Sequence, residues 1–376
     1  MKNTVAIIDF GSQKLVGLVG RRGVNGQLDI LARIQKDYGG YRKGRFRDSI
    51  TDIKVLVSEI VSELESSALT KINKVYVGVP SDFITVQVGQ AKQGYAKRKA
   101  ISRRKIANIA DLAYSGIKED KFELINKSGI DYLIDEKTRT FKPEKTKASK
   151  FAANVSFVFC ENYFIENIYQ ILEDLDIRSS ELVCATLAQS LYAFTAEERE
   201  KDVVILDVGY SAASLSIICG EGLRNLVSLD FGGQDVTEIF ADAFKLTIEE
   251  AEQVKKEVIL NCTPLPSDSY ESVGQEKMIR INAQIANKLI KEWLECFAKS
   301  VSRALKNMRL EEKNIREIYL TGGGLSYLRG GADYLSKLIA YPLEVRNAPQ
   351  LETPTPTLVS ELGVLNLALI INGQVD

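Results

Sequence analysis

The 376-residue sequence contains no histidine, a single tryptophan, three methionines and eight prolines. The missing imidazole removes Ser-His-Asp and Cys-His nucleophilic catalysis, His-ligated zinc and imidazole acid–base chemistry together. Proton transfer must therefore use carboxylates, lysine, tyrosine, cysteine or water. Cysteine is scarce as well. Cys160, Cys184, Cys219, Cys262 and Cys296 form no CxxC pair, and their odd number argues for small buried thiols in a reducing compartment rather than a disulfide framework. Neither sign of charge prevails: 49 Lys+Arg stand against 50 Asp+Glu, a net −1, so overall charge does not mark a nucleic-acid binder. No run approaches the ~20 apolar residues of a membrane span. The first apolar stretch reaches Asp9 too soon for a secretory signal, so the sequence reads as cytoplasmic.

What is present is a length suited to two or three domains, 45% hydrophobic residues and 26 glycines. Residues 4–8 form a β-branched run ending at Asp9-Phe10-Gly11-Ser12, and residues 15–19 read as the second strand of a hairpin. The pattern returns about 200 residues later. Residues 202–206 run into Asp207-Val208-Gly209, and residues 213–219 follow as a strand. Ile50, Ile53, Val57, Ile60, Val61 and Leu64 recur at helical steps within 48–68, and 75–79 is a strand. Residues 84–88 alternate with period two. The basic runs Lys97-Arg98-Lys99 and Arg103-Arg104-Lys105 read as a solvated loop and the start of a helix, which Ser102 caps and which reaches about Ser115. An extended stretch over 132–142, a strand over 154–159 and a helix over 163–175 come next. Helices are expected over 236–244, 248–257 and 279–308. A strand over 317–320 enters Thr321-Gly322-Gly323-Gly324, and residues 362–371 are apolar all round, as in a core helix.

The repeated motif carries a specific chemistry. A hairpin tip of Gly and Ser exposes backbone N–H groups that can wrap phosphate oxygens. An Asp at each strand end can hold the water shell of Mg²⁺, which prefers hydrated octahedral coordination by few carboxylates. Three glycines at a strand-to-helix turn admit a flat adenosine. Together the three signals describe a nucleotide clamp between two halves of an α/β chain.

These residues resemble the actin-like ATPase superfamily and, within it, the bacterial cell-division FtsA family. Asp9-Phe10-Gly11-Ser12-Gln13-Lys14 stands where the first phosphate loop lies, Asp207-Val208-Gly209 at the second, and Leu320-Thr321-Gly322-Gly323-Gly324 at the adenosine motif. Residues 185–190 are similar to the first connecting helix and 361–365 to the second. Closer to the FtsA branch are Gly39-x-x-Arg42-Lys43-Gly44, Val77-Gly78-Val79-Pro80-Ser81, and Phe231-Gly232-Gly233-Gln234-Asp235-Val236-Thr237 followed by Ala251-Glu252-x-x-Lys255. The resemblance implies a duplicated, ribonuclease-H-like fold of two lobes around a nucleotide cleft, each lobe with a small subdomain. The first lobe would comprise 1–73, 160–200 and 359–376, with an FtsA-type subdomain inserted at 74–159. The second would comprise 201–231 and 313–358, with its small subdomain at 232–312.

Carried over by position, the resemblance implies ATP and Mg²⁺ as ligands. Gly11, Ser12, Gln13, Lys14, Gly209 and Ser211 would meet the phosphates, and Asp9 and Asp207 would hold the Mg²⁺ waters. Thr186 would sit where the attacking water is positioned. Gly233, Glu252 and Lys255 would line the nucleoside, with Gly322, Gly323 and Gly324 under the adenine. Tyr210 and Ala212 replace the glycine and hydroxyl usual in the second phosphate loop, so the expectation is ATP binding with at most slow hydrolysis. The implied function is a cell-division protein that polymerises head to tail through the insert. It would link the ring of tubulin-like FtsZ to the division machinery at the inner face of the cell membrane, and Arg280, Lys288 and Arg303 are available for the acidic FtsZ tail. FtsA-like proteins add a membrane helix beyond the fold; this chain stops at Asp376 after its core helix, so no direct membrane anchor is expected in it, nor nucleic-acid binding. Two alternatives stay open: a pilus-assembly adaptor of the same superfamily, and a sugar- or acetate-type kinase.

Overall fold

The computed structural model describes residues 4–115, 117, 120–177, 179–274, 278–309, 315–349 and 356–373. The expected 312/313 boundary and the last three residues lie outside this set. Val5–Phe10 (β1), Lys14–Arg22 (β2) and Leu28–Asp37 (β3) make an antiparallel meander. A two-stranded ribbon, Tyr41–Arg42 (β4) and Arg45–Phe46 (β5), leads to the helix Ile50–Ala68 (α1). Ser49 caps α1, its Oγ accepting the Asp52 N–H at 3.2 Å, while Ile53, Val57, Ile60 and Leu64 bury one face. Lys74–Val79 (β6) then runs parallel to β1.

Between β6 and its parallel neighbour lies a separate sheet. Ile84–Ala100 (β7), the helix Arg103–Tyr114 (α2), Phe122–Ile134 (β8), Thr138–Thr140 (β9) and Lys147–Glu161 (β10) build it in the order β7-β10-β8-β9. The chain returns through Asn162–Asp174 (α3) to Ser179–Cys184 (β11), giving the first main sheet the order β11-β6-β1-β2-β3. Ala185–Ala193 (α4) crosses to the second half. There Val203–Val208 (β12), Ala213–Cys219 (β13) and Gly222–Leu229 (β14) repeat the meander. Gly233–Phe244 (α5), Ile248–Lys255 (α6), the hairpin Ser269–Val273 (β15) and Met278–Asn282 (β16), and Ala283–Asn307 (α7) precede Ile318–Thr321 (β17). Gly323–Ser326 (α8), Gly331–Ile339 (α9), Leu343–Val345 (β18) and Val359–Ile371 (α10) complete the described chain. The second main sheet is ordered β14-β13-β12-β17-β18, the mirror listing of the first, so the repeat read from two hairpins extends to five strands.

Two readings are corrected. Lys97–Lys99 are not in a loop: β7 continues to Ala100, and beyond an irregularity in the ladder Lys99 and Ala100 pair with Ala148 and Lys147 of β10. Residues 279–282 are not helical; Ile279 and Ile281 alternate with exposed neighbours on β16, and Asn282 caps α7 by accepting the Ile285 N–H at 3.0 Å. That puts Arg280 on a strand and in an ion pair with Glu271, while Lys288 faces Glu292 at 3.8 Å. β3, β11, β14, α9 and β18 are not among the elements expected from the sequence. β3 alternates polar and apolar residues next to a glycine-rich loop, and β11 is a short edge strand.

The core is layered. Val5 and Ile7 of β1 and Val203 and Ile205 of β12 pack from opposite sides on α4 and α10, where Ala188, Leu362, Val364 and Leu365 are buried. Each such aliphatic side chain contributes about 1.5–3 kcal/mol on burial. Gly363 makes the crossing possible: a Cβ there would lie 2.7 Å from the backbone of Gln189. The two helices are thus pressed together at the base of the cleft that separates the sheets.

Candidate functional site

The two hairpins are the same object twice. Asp9 pairs with Val16 and Phe10 with Leu15, while Asp207 pairs with Ser214 and Val208 with Ala213. Each turn closes identically, with the Gly11 N–H donating to the Lys14 carbonyl and the Gly209 N–H to the Ala212 carbonyl, both at 2.9 Å. Both aspartates therefore lie inside their strands, one residue before the end, and not after them as the sequence suggested. They look into one cleft of about 620 Å³, a size usual for a small-molecule site.

Its walls contain Asp9, Gly11, Ser12, Gln13, Lys14, Thr186, Asp207, Gly209, Gly233, Glu252, Lys255, Gly322, Gly323 and Gly324. Ser211 does not line it. That hydroxyl is buried and donates to the Tyr41 carbonyl at 2.9 Å. The hairpin tips touch: the Ser12 Oγ accepts the N–H of Tyr210 at 2.9 Å and of Ser211 at 3.3 Å. The amides of Tyr210 and Ser211 at the second turn are thus both engaged by Ser12.

The aspartates are held by the crossing helices. Ser360 of α10 donates to Asp9 Oδ2 at 2.9 Å; Gln189 of α4 reaches Asp207 Oδ2 at 3.5 Å, and Thr321 donates to Asp207 Oδ1 at 3.1 Å. Burial raises the Asp9 carboxyl to about 7; the Ser360 hydrogen bond opposes the shift, and the charges of Glu361 and Asp207 add to it. Asp207 is raised as well, by burial, against the bonds from Thr321 and Gln189. Gly322 serves this geometry. It has φ +82°, and a Cβ would lie 2.5 Å from Asp207 Oδ1.

On the wall built by α5 and α6, Lys255 Nζ donates to the Gly233 carbonyl at 3.0 Å, Thr237 Oγ1 at 2.9 Å and Glu252 Oε2 at 2.5 Å. Burial lowers its pKa, partly offset by Glu252. The pair is therefore a fixed, half-buried wall and not a solvated helix face. Several wall residues were missed from sequence. Arg33 of β3 grips buried Glu361 through two bonds, 2.7 and 3.0 Å, and Gln35 lies beside it. Tyr327 and Thr357 share a hydroxyl contact of 3.2 Å at the glycine turn. Gln189 and Ser360 sat within or beside quoted helix motifs, which was the available signal; Arg33 and Tyr327 carry none, because only the fold brings them there.

A family model described as Type IV pilus assembly protein PilM matches residues 171–351. Cell division protein FtsA of Escherichia coli (strain K12) is 24% identical over 256 residues, covering 68% of this chain and 60% of that protein. The chain thus spans about 60% of the length of that relative. FtsA of Neisseria meningitidis serogroup B is 20% identical over 386 residues, covering 98% and 91%. Among solved structures, a PilM-PilN type IV pilus biogenesis complex matches with a TM-score of 0.65 at 16% identity, over 98% of this chain and 99% of that one. MreB 5 of Spiroplasma citri bound to AMPPNP matches with a TM-score of 0.61 at 12% identity, over 99% and 98%. The chain has the actin-like fold, and its sequence is similar to FtsA.

Proposed function

We propose that this protein is an actin-like cell-division protein that binds Mg-ATP in the cleft between two lobes, hydrolyses it slowly at most, and assembles with itself and with FtsZ. The observation that carries the reading is the convergence of two equivalent Asp-x-Gly hairpins, a triple-glycine turn and the Lys255–Glu252 wall on one cleft. The lobes would be those expected from sequence, with 74–159 and 232–312 as their subdomains. Asp9 and Asp207 suit a hydrated Mg²⁺: Asp9 is buried and Asp207 partly so, and desolvation pushes both carboxyls toward the protonated form, a penalty that a divalent cation relieves. Among the described residues no three Cys, Asp or Glu side chains gather, so the ion would rest on these two carboxylates and on water. Bound Mg²⁺ would neutralise phosphate charge. The chain's own part is to hold the ion's water shell with the aspartates and to offer the Tyr210 and Ser211 amides once Ser12 yields them. Gln189 and Thr186 bound the space where an attacking water would stand.

Calorimetric titration with ATP and ADP, with and without Mg²⁺, tests the reading. Binding that needs Mg²⁺ and falls at least tenfold in Asp207→Asn is expected, with ATP surviving for hours. A folded protein that ignores nucleotide overturns it. Filaments on grids with ATP, and capture of an FtsZ tail peptide, test the assembly. Because the PilM description matches 171–351, a pilus-assembly adaptor is the second reading. Refusal of the FtsZ tail together with capture of a short peptide from a PilN-type protein would favour it.

A further inference from the structure

The net charge of −1 conceals a segregation. Residues 74–159 carry 17 Lys+Arg and 9 Asp+Glu, a net +8, which leaves 32 and 41, a net −9, to the other 290 residues. The sheet gathers these cations at one end. There β7 stops and β10 starts, with Ala100 paired to Lys147. The Lys145 N–H donates to the Ile101 carbonyl and the Asp135 N–H to the Lys150 carbonyl, both at 2.8 Å. Residues 97–105 and 135–150 bring twelve Lys and Arg to this end but only three carboxylates. Arg139 turns inward to Asp131. Arg98 takes Asp135 at 2.8 Å, Lys150 takes Glu136 at 2.9 Å and Arg103 takes Glu144 at 3.4 Å. The other eight cations have no carboxylate partner among the described residues, and seven of the eight are lysines.

We propose that this end of the inserted sheet is an electrostatic docking surface for anionic lipid headgroups. Eight like charges on the ends of neighbouring segments repel one another, and a surface of opposite charge removes that penalty. Lysine ammonium groups on long stems suit a diffuse layer of phosphates, whereas base or peptide readout favours planar, bidentate arginine. Stacking surfaces for nucleobases are already covered: the Lys105 ammonium sits 4.9 Å above the Tyr95 ring and the Arg139 guanidinium 4.7 Å above Phe141. The β7–β10 corner also lies far from where β7 enters the sheet, while Arg139 and Phe141 at the other side of this end reach Cys219 and Gly220 of the second half. From Ile84, where β7 enters the sheet, to Ala100 is roughly 50 Å at ~3.3 Å per residue, so a planar surface can approach it. The contact needs no apolar anchor and is independent of the cleft.

The test is co-sedimentation of the whole chain with vesicles of phosphatidylcholine alone and of phosphatidylcholine mixed with phosphatidylglycerol, at low and physiological salt. Binding to the mixed vesicles only, weakening as salt rises, is expected. A quadruple variant, Lys97→Glu with Lys99→Glu, Lys142→Glu and Lys147→Glu, should lose it while keeping nucleotide affinity and circular dichroism. Lys→Gln changes at the same exposed sites should give a graded loss, about fivefold per lysine. Equal binding to neutral vesicles, or an unaffected quadruple variant, overturns the proposal. So does tight binding of a single-stranded oligonucleotide or an acidic peptide by a protein that ignores the vesicles.

Discussion

Asp9 is the residue whose state the fold controls most. Its carboxyl ordinarily titrates at 3.8 and is raised to about 7 in the folded chain. Between those values the folded protein keeps a proton that the unfolded chain has released, so this residue makes stability fall as pH rises from about 4 to about 7 and leaves it level above. The full penalty is of order 4 kcal/mol. Asp9→Asn removes the titration. The difference in unfolding free energy between variant and wild type, without nucleotide, should therefore grow from pH 4 to pH 7 in favour of the variant. The same variant should bind Mg-ATP at least tenfold more weakly. A difference that stays flat across that window would place the charged Asp9 in a better-solvated setting than the structure gives it.

Helices and strands show what the chain pattern could and could not reveal. Both Asp-x-Gly hairpins were legible because their signal is local: an apolar run, a polar turn, an apolar run. β3 and β14 were not, since LDILARIQKD and GLRNLVSL mix charged and apolar residues on strands that lie at the edge of each meander. Met278–Asn282 continued an apolar spacing that a helix would share, and only its pairing with Ser269–Val273 decides for a strand. The α4–α10 crossing was invisible for another reason. Two helices separated by about 170 residues meet at a glycine, and no local pattern announces the partner. Gly363→Ala would gain helix propensity, yet its Cβ meets the Gln189 backbone at 2.7 Å. A net loss of about 1–3 kcal/mol is expected from overpacking, together with weaker nucleotide binding because Gln189 and Ser360 shift off the aspartates. Gly94→Ala, where a Cβ meets nothing within 4 Å, is the control and should be neutral or mildly stabilising in the same denaturant titration.

At the scale of the molecule, the inserted sheet is rooted in one half and fastened to the other. β6 and α3 tie it to the first main sheet, while Asp131 of β8 takes Arg224 of β14 and Arg139 of β9, each at 2.8 Å. The Glu221 N–H donates to the Gly129 carbonyl at 3.0 Å, and Gly220 packs against the Ile130 carbonyl. Burial would raise Asp131, but Asn154 and the two guanidiniums outweigh it and hold the carboxyl below its ordinary range. Any rotation of the halves about the α4–α10 crossing must then strain this fastening or carry the insert along. Asp131→Ala removes the shared acceptor and leaves Arg224 with Asp202 and the Cys219 sulfur, a loss of about 1.5–3 kcal/mol from charge-assisted hydrogen bonds. Hydrogen exchange resolves the consequence. In the wild type, Mg-ATP should slow exchange at the Glu221 amide as well as around the cleft. In Asp131→Ala the cleft should still respond while the Glu221 amide exchanges fast with or without nucleotide, because the strand–insert bond no longer has an ion pair to hold its register. Equal protection of that amide in both proteins would mean that the insert follows the first half alone and that the fastening transmits nothing.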